Sequence, residues 1–284
     1  MQRVYEKDLV EIHEVSPQVY FRKADLRTRN QCNGAYFLSE GVVGVVDVPT
    51  MEAAEEMEEE SRLLFGQPIS RVFLTHGHED HVGGLPAFLR QNVTIFCSEH
   101  LLERMQLKRG DVAATLVGVK GRIPVRMADL EIECRALEVS AHSWGDMLVS
   151  LPGRCLCTGD FVVDYPFFYF HSANVENWIA QLGKISAEGG EHVIPGHGDI
   201  FPFSRIAESA DFIQSLARAA RDCLSGLTET QIESLSEQTI HGVVSAYFSA
   251  GNADARRIHD LAGRMDAHRE LRMVVRYFAY AKLF

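Results

Sequence analysis

No stretch of this 284-residue chain approaches the roughly 18–20 consecutive apolar residues that a membrane-crossing helix requires. The segment Met1–Val10 has no apolar signal region and carries acidic residues early, so the chain as it stands reads as cytoplasmic, with no membrane partner. Cysteine is thin as well. Cys32, Cys97, Cys134, Cys155, Cys157 and Cys223 lack the density of a disulfide scaffold, which fits a reducing compartment. The Cys155-x-Cys157 pair reads most simply as alternate residues of one apolar strand. Positive charge is in deficit, with 28 Lys+Arg against 39 Asp+Glu and a net charge of −11. That balance argues against a nucleic-acid partner, because phosphate backbones are gripped by clustered Lys and Arg. A small substrate is not excluded, since a local pocket need not share the global sign. Internal repeats and low-complexity segments are missing too.

What remains is ordinary globular composition, 46% hydrophobic and 24% charged, in a chain near the size at which a single core stops growing. The charge is unevenly spread: residues 205–284 hold ten basic and ten acidic side chains, so the whole surplus lies in residues 1–204. Part of it is one run from Glu52 to Glu60, which reads as the solvated face of a helix near its N-terminus, where carboxylates oppose the macrodipole.

Short β-rich runs alternate with helical patterns over the first 200 or so residues. Ala35–Leu38 and Val42–Asp47 flank a Ser-Glu-Gly turn and predict a hairpin. A helix over 51–65 follows Thr50 as N-cap, a strand covers 71–75, Pro86 opens a further helix, and Ser98 caps one running to about Lys108. Residues 123–151 read as strands, followed by a strand over 154–158, a helix over 175–187 and a short strand at 191–194. From Phe203 every pattern is helical, over about 204–225, 228–249 and 252–282, with capping-box spacing at Thr230–Glu233 and Asn252 as a cap. The fold class is therefore α/β, with a metal-bearing domain over 1–203 and an all-helical C-terminal extension over 204–284. The extension is expected to pack on the core as a lid or as a homodimer surface.

The chemistry concentrates in Leu74-Thr-His76-Gly-His78-Glu79-Asp80-His81-Val-Gly-Gly84, four strong metal-ligating side chains within six residues, between a strand and a helix. On an extended loop His76 and His78 face the same way, while Asp80 and His81, at the helix entry, can turn to a second point nearby. Imidazole and carboxylate together suit zinc, iron or manganese. One loop cannot close such a site alone. Three further candidates follow other strands: His142 in Val139-Ser-Ala-His142, Asp160 in Thr158-Gly-Asp160, and His197 in Pro195-Gly-His197-Gly. In open α/β sheets, ligands gather outside strand ends.

Together, His-x-His-x-Asp-His, a distant His, an Asp after a strand and a His in Pro-Gly-His-Gly resemble the metallo-β-lactamase superfamily, in its glyoxalase II-like and lactonase-like binuclear branch. The resemblance spans about residues 30–200 and implies a four-layer αβ/βα sandwich holding two divalent metals, zinc first, with iron or manganese as alternatives. It implies His76, His78 and His142 on one metal, Asp80, His81 and His197 on the other, and Asp160 bridging both. Asp47 matches the family's structural aspartate, which supports the ligand loop through hydrogen bonds. Asp80 and Asp160 are thus also the expected catalytic carboxylates. The family's iron flavoproteins carry Glu where this chain has His78; one class of its exported β-lactamases carries Cys where this chain has Asp160. Its nucleases usually add a nucleic-acid-binding domain and a basic surface. These departures disfavour lactamase and nuclease.

The chemistry the resemblance implies is attack on an electrophilic carbonyl by a metal-bridged hydroxide, formed because two cations lower the pKa of a shared water toward about 7. A thiolate or alkoxide leaving group suits this better than an amine, which needs its own proton donor. Thioesters, lactones and esters of small, partly hydrophobic molecules are the expected substrates. Residues 161–170 are heavily aromatic and read either as an apolar wall over the metals or as core, with Tyr165, Phe168 and His171 as candidate substrate contacts. Two other readings stand beside this one: a mononuclear iron enzyme resembling persulfide dioxygenases, and a signalling protein that keeps the metal site and binds a partner through its helical C-terminus.

Overall fold

The computed structural model describes residues 1–24, 32–105, 112–164, 169–170, 172–251, 255–256, 258 and 267–281. A first sheet runs in the order β1 (Gln2–Lys7), β2 (Val10–Ser16), β3 (Val19–Ala24), β4 (Gly34–Ser39), β5 (Val42–Val46), β6 (Ile69–Phe73), β7 (Thr94–Ser98), β8 (Thr115–Val119). Its first five strands form an antiparallel meander, and β5 to β8 pair in parallel. The parallel crossovers carry α1 (Met51–Phe65), α2 (Glu79–Val82), α3 (Leu85–Leu89) and α4 (Glu99–Arg104). A second sheet contains β9 (Arg122–Met127), β10 (Leu130–Ala136), β11 (Met147–Leu151), β12 (Cys155–Gly159), β13 (His192–Pro195) and β14 (Phe201–Pro202). Only β12 and β13 pair in parallel there, joined through α5 (Val175–Ser186). After β14 come α6 (Ile206–Ser225), α7 (Glu229–Glu233), α8 (Glu237–Ala250) and α9 (Ala267–Ala281). No helix among the described residues is long and apolar enough to cross a membrane.

Period-two patterning sets the layers. Along β10, Leu130, Ile132, Cys134 and Ala136 point between the sheets and meet Phe37, Phe73 and Met147. Alternate residues of β5 split the other way: Val43 and Val45 pack under α1 and α3 with Met57 and Phe88, while Val46 joins the inter-sheet core. Leu148, Leu156 and Val193, on the outer face of the second sheet, pack with Trp178 of α5 and with Phe212, Leu216, Val244 and Leu271 of the C-terminal helices. The result is four layers, helix–sheet–sheet–helix, with the C-terminal helices sharing a core with α5. Cys155 and Cys157 face the inter-sheet core, and all six cysteines are free and buried.

Local signals act largely where expected. Thr50 caps α1 by accepting the Ala53 N–H at 3.1 Å, and Ser98 caps α4 by accepting that of Leu101 at 3.1 Å. The capping box falls elsewhere than at Thr230–Glu233: Thr228 and Gln231 form it, because the extended backbone at Thr228 starts the helix two residues earlier. The helical stretch over 228–249 is two helices, since Ser236 takes the Thr239 N–H and begins α8 anew. The acidic run on α1 is not wholly solvated. Glu60 is 3% exposed and meets the equally buried Arg22 at 2.8 Å, so this pair locks α1 onto β3. The cap assigned to Asn252 lies outside the described residues, as do 106–108 of the helix after Ser98.

Candidate metal centre

The seven expected ligands come from the short helix α2 and from loops that follow strands. β6 ends at Phe73 and releases the His76–His78 loop, α2 carries Asp80 and His81, and β10, β12 and β13 are followed by His142, Asp160 and His197. Two glycines let these loops meet. Gly159 sits at φ 51°, and a Cβ there would run into the Thr75 side chain; a Cβ on Gly196 would strike Asp160 Oδ1 and His81. The Met147 N–H donates to Thr75 O at 2.6 Å and the Gly196 N–H to Gly159 O at 2.9 Å, tying the loops together.

Two groups of ligand atoms result, each drawn within 4.8 Å and both including Asp160: His76, His78, His142 and Asp160; and Asp80, His81, Asp160 and His197. In the first, His78 Nδ1 lies 2.9 Å from His76 Nε2 and 3.2 Å from His142 Nε2. In the second, His81 Nε2 is 3.3 Å from Asp160 Oδ1, and His197 Nε2 is 3.2 Å from Asp80 Oδ2 and 3.4 Å from Asp160 Oδ2. His81 Nε2 and Asp160 Oδ1 are buried and face each other as a close pair, with no further hydrogen-bond partner. Converging imidazole nitrogens and carboxylates, buried and set against one another, fit divalent cations.

Asp47 sits 2% exposed at the end of β5 and organises the ligand loop. It accepts the Thr75 N–H at 2.7 Å, the Thr75 hydroxyl at 2.6 Å and His81 Nδ1–H at 2.7 Å. The last contact leaves His81 Nε2 facing Asp160. Thr75 Oγ1 in turn lies 3.1 Å from His76 Nδ1, which leaves His76 Nε2 facing the first group. On the other side, Ser172 Oγ meets His78 Nε2 at 2.7 Å and donates to His142 O at 3.3 Å, and the Trp178 ring stands edge-on to His142 at 5.1 Å.

The electrostatics divide along the same line. Burial, reinforced by neighbouring imidazoles, holds His76 well below the usual imidazole range, and burial brings His142 to about 3. For His81 burial acts in the same direction, but Cys32, Asp160 and Asp47 outweigh it and raise the ring well above its ordinary value. His197 likewise overcomes its burial through Asp160 and rises to about 9. Burial raises the Asp160 carboxyl, and His81 and His197 more than reverse that, holding it well below the usual carboxylate range.

The groups open onto a cleft of about 900 Å³, walled by Pro49–Glu52, His78–Asp80, Gly83, Asp160, Tyr169 and His197, with no Lys or Arg among these described residues. The aromatic stretch 161–170 divides: Phe161, Val162, Val163 and Phe170 are core, whereas Tyr169 is 48% exposed and stands 5.5 Å from the His78 ring. Tyr165, Phe168 and His171 lie outside the described residues. Sequence reasoning missed Cys32, whose sulfur lies within 4.8 Å of His81 and Asp47 ligand atoms, as well as Asn33, Thr75 and Ser172. Only Thr75, adjacent to the histidine motif, carried a usable signal.

Residues 36–197 match the profile of the metallo-β-lactamase superfamily. Metallo-β-lactamase IND-1 of Chryseobacterium indologenes is 25% identical over 176 residues, covering 59% of this chain and 72% of that protein. The atrochrysone carboxyl ACP thioesterase AacuM of Aspergillus aculeatus is 25% identical over 164 residues, covering 56% of this chain and 47% of its own length. Among solved structures, a metallo-β-lactamase from Pontibacter korlensis superposes with a TM-score of 0.61 at 20% identity, over 72% of this chain and 99% of that one, which is a likeness of fold.

Proposed function

Because the chain belongs to the metallo-β-lactamase superfamily, we propose that it is a binuclear metal-dependent hydrolase that cleaves a thioester, lactone or ester bond in a small, partly apolar substrate. The observation that carries this reading is the sharing of Asp160 between two complete groups of imidazole and carboxylate ligands. Two divalent cations held there, zinc first and iron or manganese next, would supply Lewis-acid polarisation of the carbonyl and activation of water at neutral pH. His76, His78, His142 and Asp160 would hold one, and Asp80, His81, Asp160 and His197 the other. Asp80 and Asp160 would also orient the attacking water through their free lone pairs, while Asp47 and Ser172 keep the imidazoles turned to the cleft. A mononuclear iron enzyme would need only the first group, so the assembled second group favours the binuclear reading.

Several features support the substrate class. Met51 and Tyr169, both large and partly exposed, stand on the cleft wall and suit an acyl chain or ring. The described wall carries Glu52 and Glu79 and no basic side chain, which suits neutral carbonyl compounds better than phosphodiesters. The name of the AacuM relative points to thioesters. The same proposal takes a small molecule as the partner at the cleft, no nucleic acid and no membrane, a cytoplasmic setting, and a homodimer contact over the helices of 204–284.

The test is metal quantification on the purified protein, followed by thioester, lactone, β-lactam and phosphodiester panels with zinc, iron and manganese. About two cations per chain with thioester or lactone turnover is the expected result. Turnover confined to β-lactams or phosphodiesters, or dioxygen uptake with a single iron, would overturn it.

A further inference from the structure

The second ligand group rests on a two-residue segment with no part in the chemistry described so far. Cys32 and Asn33, which lead into β4, are 1% and 3% exposed. Asn33 is hydrogen-bonded on every side. Its backbone N–H donates to Gly196 O at 2.7 Å, its Nδ2 donates to Pro195 O at 3.1 Å and to Gly198 O at 2.9 Å, and its Oδ1 accepts the Ala24 N–H at 3.1 Å. The three carbonyls it holds flank His197 on both sides. Cys32, one residue earlier, places its sulfur within 4.8 Å of ligand atoms of both His81 and Asp47. Asp47 already accepts three hydrogen bonds, and Cys32 adds a small, polarizable side chain that hydrogen-bonds the same His81 ring.

Both residues therefore act on the same pair of ligands, His81 and His197, from one point of the chain. The first group is braced by different elements: Thr75 behind His76, Ser172 behind His78, and Trp178 against His142. The second group is also where imidazoles and carboxylates converge most closely: His81 Nε2 lies 3.3 Å from Asp160 Oδ1, and His197 Nε2 lies 3.2 Å from Asp80 Oδ2. Resting on the binuclear reading, we propose that Cys32 and Asn33 are positioning residues for the second cation alone. Asn33 fixes the 195–198 loop so that His197 faces Asp80 and Asp160, and Cys32 backs His81 beside Asp47 so that its Nε2 points to the same place. Outer partners of ligands change metal affinity by about 10–100-fold when removed, without being ligands themselves.

The experiment titrates the metal-free full-length chain with Co²⁺ against a competing chelator and reads the two stepwise affinities. Asn33→Ala is expected to weaken the step that His197→Ala removes about 10–100-fold and to leave the step that His142→Ala removes within about twofold. Asn33→Asp, which keeps the acceptor for the Ala24 N–H and loses the two donors to the loop, serves where the alanine variant fails to fold. Cys32→Ala is expected to weaken that same His197-dependent step about 10-fold, with partial rescue by Cys32→Ser. Thermal melting of the metal-free variants reports the structural cost separately. Equal weakening of both steps, or no change in either, overturns the proposal. A sulfur-to-cobalt charge-transfer band that vanishes in Cys32→Ser makes Cys32 a ligand and overturns its positioning role. If the wild-type chain takes up a single cation, the binuclear reading itself fails, a result distinct from any change seen only in the variants.

Discussion

His76, His78 and His142 meet where the loop after β6 faces the loop after β10, and they are propped from the α5 side by Ser172 and Trp178. Asp80, His81 and His197 meet where α2 faces the loop after β13, and they are propped from the β4–β5 hairpin by Asp47, Cys32 and Asn33. Burial is thus answered differently in the two groups. Burial and neighbouring imidazoles hold His76 well below the usual imidazole range, and burial brings His142 to about 3. At His81 and His197 burial acts the same way, but the surrounding carboxylates outweigh it and raise both rings. Similar burial therefore has opposite outcomes according to the charges that face each ring.

The contrast can be broken most decisively at Asp160, the residue common to both groups. Asp160→Ala is expected to abolish uptake of both cations and to lower hydrolysis by several orders of magnitude; metal analysis with a thioester assay checks this, and retention of either cation at wild-type affinity contradicts the sharing. Next in size are the single-group variants. His142→Ala and His197→Ala are each expected to leave about one cation per chain, on opposite groups, and loss of both in either case would mean that the two sites do not load separately. A smaller effect is expected for Ser172→Ala, which removes the partner of His78 Nε2. The first cation should bind about 10-fold more weakly and the second as before, measured by competition with a chelator.

The smallest effect concerns stability. Asp146 accepts both the Ser143 N–H at 2.9 Å and its hydroxyl at 2.6 Å, holding the loop that presents His142. Burial raises its carboxyl to about 6. The folded protein therefore binds this proton more tightly than the unfolded chain does, and the stability it contributes is full below the ordinary aspartate range and falls as pH rises through about 6. Asp146→Asn should flatten that part of the profile in denaturant unfolding of the metal-free chain, and an unaltered slope would mean that Asp146 does not titrate there.

The fold was legible in the sequence wherever the signal was local. The hairpin around Gly41 and the caps at Thr50 and Ser98 each depend on neighbours in the chain and appear where expected, and the six-residue His76–His81 motif drew attention to side chains that the fold does bring together. The four-layer sandwich came through the family resemblance, since periodicity alone does not order strands within a sheet. What stayed hidden acts across long separations. Ser172 meets His78 from 94 positions away, and Asn33 reaches Gly198 over 165. A buried Asn or Cys beside a strand carries no pattern that marks such a contact. The split of the 228–249 stretch was missed because helical periodicity continues through Ser234–Ser236, where hydroxyl competition for the backbone ends one helix and caps the next. The aromatic run after Asp160 was ambiguous for another reason: composition does not say which ring turns inward.

The Trp178 side chain touches His142 on one side and belongs on the other to the core it shares with Phe212, Leu216 and Leu271. The stretch that matches the superfamily ends at residue 197, before any of those helical partners. A fragment cut at that border would carry every candidate ligand and still lay bare the outer face of α5 and of the second sheet. The unit that folds around these side chains is therefore larger than the stretch by which its kinship is recognised.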